Sequence, residues 1–254
     1  GGGFYHANKY MVAPRWRPLP ENLHWSYWES YSTWLTGFAL FTVLYLFNAG
    51  SFLVDKSVLD WSPAAAIAAS LGILVAFWFV YDAICRAFGQ RDKGDLIVGA
   101  GVTAFVVFAS WLACQLFAGR AAFLLVGAML ATAMSANVFF WIIPGQRKVV
   151  AQLRAGHTPD AIHGKRGKQR SVHNTYFTLP VLIAMLSNHY AFLYSHPQRW
   201  LVLFVIMMAG AFIRQFFVQR HGWHLGRARN PWPFAAIGIV LLLAYPQLPS
   251  VEVL

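Results

Sequence analysis

Long, nearly uninterrupted apolar runs dominate the chain and dictate the solvent it folds in. A bilayer core of about 30 Å takes roughly 20 helical residues. Seven runs approach that length: 31–53, 63–85, 95–117, 121–143, 172–195, 199–219 and 232–249. They are too long and too continuous for barrel strands, which need about 10 alternating residues. Only 11% of the residues are charged, against about 25% in an ordinary soluble domain. The expected fold is all-α: one polytopic transmembrane helical bundle of about seven spans over residues 1–254.

The net charge of +11 raises nucleic acid as a partner, but the placement of the charges points to lipid. Of the 20 Lys and Arg residues, Arg214 falls inside a run, and alternating spans put only Lys56, Arg120 and Arg199 on one side. The other sixteen share the opposite side. Such asymmetry is the positive-inside signal, which makes the N-terminus cytoplasmic and the C-terminus periplasmic. The basicity therefore reports topology, and no nucleic-acid partner is expected. The oligomeric state is left open.

Cys85 and Cys114 both sit in apolar runs without a CxxC or metal-ligand neighbour, so they are expected to be small core residues. The opening "GGGFYHANKYMVAPRWRPLP" has neither a basic n-region nor an apolar h-region and is not a signal peptide. It reads as the truncated start of something longer. Between the fourth and fifth runs, "QRKVVAQLR" fits a short basic amphipathic helix on anionic lipid. The following "AGHTPDAIHGKRGKQR", with His157 and His163, reads as a flexible loop.

Polar residues inside lipid-length runs are costly and therefore informative. Asp82 and Arg86 stand four apart, a spacing that pairs opposite charges on one helix face. Asn137 lies in the inner half of the fourth run, and Arg214 with Gln215 in the inner half of the sixth. The fifth run is the most heavily loaded, with His173, Asn174 and Tyr176 in one turn, Pro180 just beyond, and then Ser187, Asn188 and His189. On a helix His173 and His189 point in nearly opposite directions and are about 24 Å apart, so they cannot share a metal ion. Thr175, Thr178 and Ser187 are expected to glue helices together.

Four blocks in order, "GGGFYHANKYMVAP", "LHWSYWESYSTWLTGFAL", "NVFFWIIPGQRKVVAQLRAG" and "SVHNTYFTLPVLIAMLSNHY", resemble the membrane domain of PuuD-type urate hydroxylases, the integral-membrane, cytochrome c-linked urate oxidases. The resemblance implies oxidation of urate to 5-hydroxyisourate in a bacterial inner membrane, with electrons passed to a periplasmic cytochrome c. Two parts of the family pattern are missing: an additional first span containing a histidine, and the C-terminal haem c domain with its CxxCH. Leu254 falls on the side where such a domain would hang.

Urate is a planar purine anion, and its oxidation calls for an anion partner, ring-edge hydrogen bonds, an aromatic lid and a base. The residues expected to supply them gather at the inner end. His173 or Glu29, with His24 nearby, would act as base; Asn137 and Asn174 would read the ring; Tyr176 or Trp141 would stack; Arg214 would face the anion. His189 is the one histidine in the outer half of a span, and it would ligate the iron of a haem b carrying electrons outward. Two other readings use the same residues: a transporter or binding protein for an anionic solute, and a structural b-haem subunit of a respiratory assembly. The charge asymmetry makes the topology testable. A reporter inserted at 155–168 should score as cytoplasmic and one fused after Leu254 as periplasmic; the reverse pattern would invert every site placed here.

Overall fold

A computed structural model describes Leu19, Leu23 and residues 25–244. His24, of the expected site residues, lies outside the described residues. Every regular element described is helical. In chain order these are α1 (Trp28–Phe41), α2 (Ala49–Phe52), α3 (Pro63–Phe88), α4 (Gly94–Leu116), α5 (Gly119–Asn137), α6 (Ile143–Arg154), α7 (Ala161–Leu186), α8 (Ala191–Tyr194), α9 (Arg199–His224) and α10 (Trp232–Ala244).

The expected seven spans reduce to four. Among the described residues, Pro63–Phe88, Gly94–Leu116, Gly119–Arg154 and Arg199–His224 are long and apolar enough to cross a bilayer, which marks an integral membrane protein. Each of the other three runs fails for its own reason. The first continues from α1 through a π turn at Thr42–Leu46 and stops at Asn48, where the backbone leaves the helical region, and its opening turns carry Glu29, Ser30, Ser32 and Thr33. The fifth belongs to a 26-residue helix, α7, whose first half is charged. The last is described only as far as Ala244, as a helix of 13 residues. The fourth span gains length, because a second π turn, Val138–Ile142, carries α5 into α6 as one 36-residue helix.

Local signals place the boundaries. Ser62 accepts a hydrogen bond from the Ala65 N–H at 3.2 Å, and Pro63 occupies the first helical position, where its missing N–H is not needed. Asp160 caps α7 by accepting from Ile162 N at 2.9 Å. Helix therefore begins at Ala161 and takes in residues 161–170, with His163, of the stretch expected to be a flexible loop, while 155–160, with His157, stays outside any helix. Pro180 has no N–H to offer the Tyr176 carbonyl, and α7 runs on to Leu186 before tightening into a 3₁₀ turn, Ser187–His189.

Helix α7 is the centre of the bundle, packed against α5 on one side and α9 on the other, while α3 and α4 close around α5 and α10 lies on α9. Glycines let the helices approach. At Gly210 a Cβ would come within 2.9 Å of Ile183 and 3.2 Å of Leu179, and at Gly127 within 2.9 Å of Met185. Van der Waals packing of small residues is the main attraction between helices where lipid is as apolar as leucine. The hydroxyls of Thr175, Thr178 and Ser187 add no hydrogen bond between helices, since each bonds back to a carbonyl of its own helix or turn.

The end of the bundle beside the 3₁₀ turn is tied by Asn188, whose Oδ1 accepts from Tyr45 at 3.1 Å and from Arg120 Nε. Arg199 donates to the Cys114 carbonyl at 2.7 Å. Both cysteines are buried, as expected. Gly119 starts α5 so close to the loop after α8 that a Cβ would stand 2.5 Å from the Tyr194 carbonyl oxygen. Gly119→Ala should therefore cost about 1–3 kcal/mol in denaturant titrations of the detergent-solubilised protein. Gly167→Ala, which meets nothing within 4 Å on α7, should be neutral or slightly stabilising.

Candidate functional site

Three helices bring their polar residues together at one end of the bundle: α3 supplies Tyr81, Asp82 and Cys85, α5 with its π turn supplies Asn137 and Trp141, and α7 supplies Gln169, Arg170, His173 and Asn174. The anchor is an ion pair. Arg170, 2% exposed, donates from Nη2 to Asp82 Oδ1 at 2.6 Å. Trp141 Nε1 donates to the same oxygen at 2.7 Å. The guanidinium carbon lies 5.0 Å from the ring centre of Tyr81, 5.1 Å from Trp141 and 5.9 Å from Trp78. Arg86, the sequence-expected partner of Asp82, reaches it only at 3.8 Å with an exposed side chain. The i,i+4 rule finds neighbours on one helix and is blind to a partner on another.

From the ion pair a hydrogen-bonded line leads inward. Arg170 Nη1 donates to Asn137 Oδ1 at 3.4 Å. Asn137, fully buried, donates from Nδ2 to the Tyr81 hydroxyl at 3.0 Å and to Asn174 Oδ1 at 2.8 Å. Asn174 Nδ2 donates to the Met134 carbonyl at 3.0 Å. The Tyr81 hydroxyl lies 2.7 Å from His173 Nδ1, and Cys85 Sγ stands 3.8 Å from the same nitrogen.

Beyond His173 a cavity of about 660 Å³ opens between α4, α7 and α9. Its apolar wall includes Phe177, Pro180, Phe204, Met207 and Met208, and its polar wall Thr103, Asp95, Gln169, His173 and Tyr176. Exposed Gln90, Arg91, Lys165 and Lys168 surround the polar end. Gln169 stitches α7 to the turn before α4, donating from Nε2 to the Gly89 carbonyl at 3.1 Å and to Asp95 Oδ1 at 2.9 Å. Gly89 permits this, because a Cβ there would collide with the Gln169 amide at 2.4 Å.

The expected site residues divide by position. His173 and Tyr176 line the cavity, and the Tyr176 hydroxyl donates to Gln215 Oε1. Asn137, Asn174 and Trp141 stand behind the cavity wall, in the network that holds His173. Arg214 has a buried Nε without a hydrogen-bond partner among the described residues and is not on the wall. Glu29 is exposed on α1, away from the wall. His189 is exposed in the 3₁₀ turn past the end of α7. No group of three or more His, Cys, Asp or Glu side chains able to hold a metal forms among the described residues.

Sequence reasoning missed Tyr81, Arg170, Gln169 and Asp95. Arg170 was counted with the cytoplasmic charges, and Tyr81 was not singled out from the apolar run that holds it. A tyrosine next to an intramembrane aspartate was the signal available, since a polar group in lipid calls for partners nearby.

No curated protein and no solved structure matches the chain significantly. A family model does: the one described as "Urate oxidase N-terminal" matches residues 1–246, almost the whole sequence and all of the cavity and its supporting network. The chain belongs to the urate oxidase N-terminal domain family.

Proposed function

We propose that the chain is the membrane-bound catalytic part of a urate oxidase that converts urate to 5-hydroxyisourate in the cavity beside His173 and passes the electrons to a periplasmic cytochrome c. The observation that carries the reading is a cavity of about 660 Å³, within the range of about 300–1,000 Å³ usual for small-molecule sites, with cations around one end. Family membership makes urate the substrate to fit there.

The reaction takes one urate monoanion and one water to neutral 5-hydroxyisourate, one proton and two electrons. Arg91, Lys165 and Lys168 would draw the anion in from the cytoplasmic side. Gln169 and His173 would hydrogen-bond the ring edge, and Phe177 and Phe204 would cover its faces. Asp95, the carboxylate on the wall, would take the proton released when water adds at C5. These assignments replace Glu29 as base and move Asn137, Asn174 and Trp141 from substrate contact to support. Arg214 remains a candidate anion partner only through its unsatisfied buried Nε.

A cytochrome c, carried in the family on a C-terminal haem c domain, supplies a ferric iron that accepts one electron at a time. A haem b on His189 fits the described residues poorly. The imidazole is exposed and lines neither the cavity beside His173 nor a smaller one around Arg199. Enclosure and a second axial ligand would have to come from outside the described residues. The idea has a direct test in the full-length protein: a b-type absorption band that disappears in His189→Ala supports it, and a spectrum of haem c alone ends it.

Membranes containing the full-length protein should reduce ferricytochrome c only when urate is added. His173→Ala should lower kcat/KM for urate at least tenfold, about 1.4 kcal/mol of transition-state stabilisation. Urate accumulation in vesicles without cytochrome reduction would favour the transporter reading instead.

A further inference from the structure

We infer that Tyr81 locks His173 in the tautomer that carries its proton on Nε2, so that this histidine meets the bound purine as a hydrogen-bond donor and not as the base. The inference rests on the cavity being the urate site for its last step only; the tautomer itself follows from groups whose polarity cannot change.

Two fixed points anchor the network. A backbone carbonyl can only accept, and a guanidinium can only donate. The Met134 carbonyl therefore requires the amide nitrogen of Asn174, which turns Asn174 Oδ1 toward Asn137. Asn137 must answer that oxygen with Nδ2. Independently, Arg170 Nη1 can face only Asn137 Oδ1, which puts Nδ2 on the same side again. Flipping either amide would set donor against donor or acceptor against acceptor in a buried site, the arrangement proteins avoid most consistently. The two amide assignments, ordinarily a matter of inference, are thus over-determined.

Asn137 Nδ2 also donates to the Tyr81 hydroxyl oxygen. The hydroxyl hydrogen must then go to an acceptor, and His173 Nδ1 at 2.7 Å is the strong one beside Tyr81, the Cys85 sulfur being a weak acceptor. The Cys85 thiol, itself a weak donor, faces the same nitrogen. Nδ1 is therefore unprotonated, and the proton of the neutral imidazole sits on Nε2, the nitrogen left for the cavity that His173 lines. An imidazolium would send two donors to the Tyr81 oxygen and strand its hydroxyl hydrogen.

A planar anion with carbonyl oxygens and a deprotonated nitrogen on its edge is complementary to such a donor. Tyr81, Asn137, Asn174 and Arg170 are positioning residues in this account. They touch no substrate, and they decide which atom of His173 does.

The tautomer can be read without substrate. Val172–His173 is the only Val–His pair in the sequence of this chain, so carbonyl-13C valine combined with 13C,15N-histidine narrows the solid-state NMR signals of the full-length protein in lipid to a few, and the one lost in His173→Gln is that of His173. A protonated Nε2 with an unprotonated, hydrogen-bonded Nδ1 is expected. A protonated Nδ1, in either the neutral or the cationic ring, overturns the inference.

The donor role is tested separately by binding of radiolabelled urate. His173→Gln, whose amide N–H reaches the place of Nε2–H, should stay within about threefold of wild type, while His173→Leu should bind at least about tenfold more weakly. Equal losses in the two variants would remove the donor role. Wild-type protein that binds no urate would instead defeat the reading of the cavity and leave the tautomer result standing.

Discussion

A guanidinium buried among helices is costly unless it is paired, and Arg170 meets that cost with Asp82 Oδ1 at 2.6 Å under the faces of Tyr81, Trp78 and Trp141. Geometry follows from that requirement. The pair sets α7 against α3 in one register, and Trp141, bonded to the same carboxylate oxygen, adds the π turn that follows α5. Substituting one partner alone would leave a charge in an apolar interior, a loss of about 3–5 kcal/mol where such pairs have been broken elsewhere. Exposed Arg86 at 3.8 Å cannot take over the role.

The ion pair also gives direction to what lies beyond it. Each hydrogen bond between Arg170 and His173 has a donor end and an acceptor end, and the direction at one link restricts the next. In water such a chain would reorient freely, because every group could exchange its partner for solvent. Buried behind the cavity wall, it has no spare partner. The imidazole at its end is thereby prepared before substrate arrives, which is how a site avoids reorganising during reaction. Its other boundary, the cation-rich end with Arg91, Lys165 and Lys168, is exposed and electrostatic. One part holds geometry and the other concentrates an anion.

Several elements were legible in the sequence because their cause is local. The helical class, the membrane solvent, the capped start of α3 at Ser62 and Pro63, and the basic helix α6 all rest on composition or on residues within one turn of each other. The concentration of polar side chains around His173, Asn174 and Tyr176 was visible for the same reason. Span counting was less secure, since an apolar run states a length available and not a helix formed. Asn48 broke one run, and the charged first half of α7 absorbed part of another into a helix too polar to count as a span.

Which of those polar residues would face a cavity was not local at all. Asn137 and His173 look equivalent in the sequence, each a polar side chain in an apolar run. Packing of α5 against α7 buries the first fully, and the gap between α4, α7 and α9 leaves the second lining an opening. The partner of Asp82 stands 88 positions away on another helix, beyond any periodicity rule, and neither Glu29 nor His189 is among the residues of the cavity wall. The amino-acid sequence by itself determined the solvent, the helical class and the inventory of polar groups that lipid would not tolerate unpaired. Tertiary structure alone decided the pairing, because a buried charge or amide is satisfied by whatever group the neighbouring helices carry to within about 3 Å, and that distance depends on the packing of whole helices.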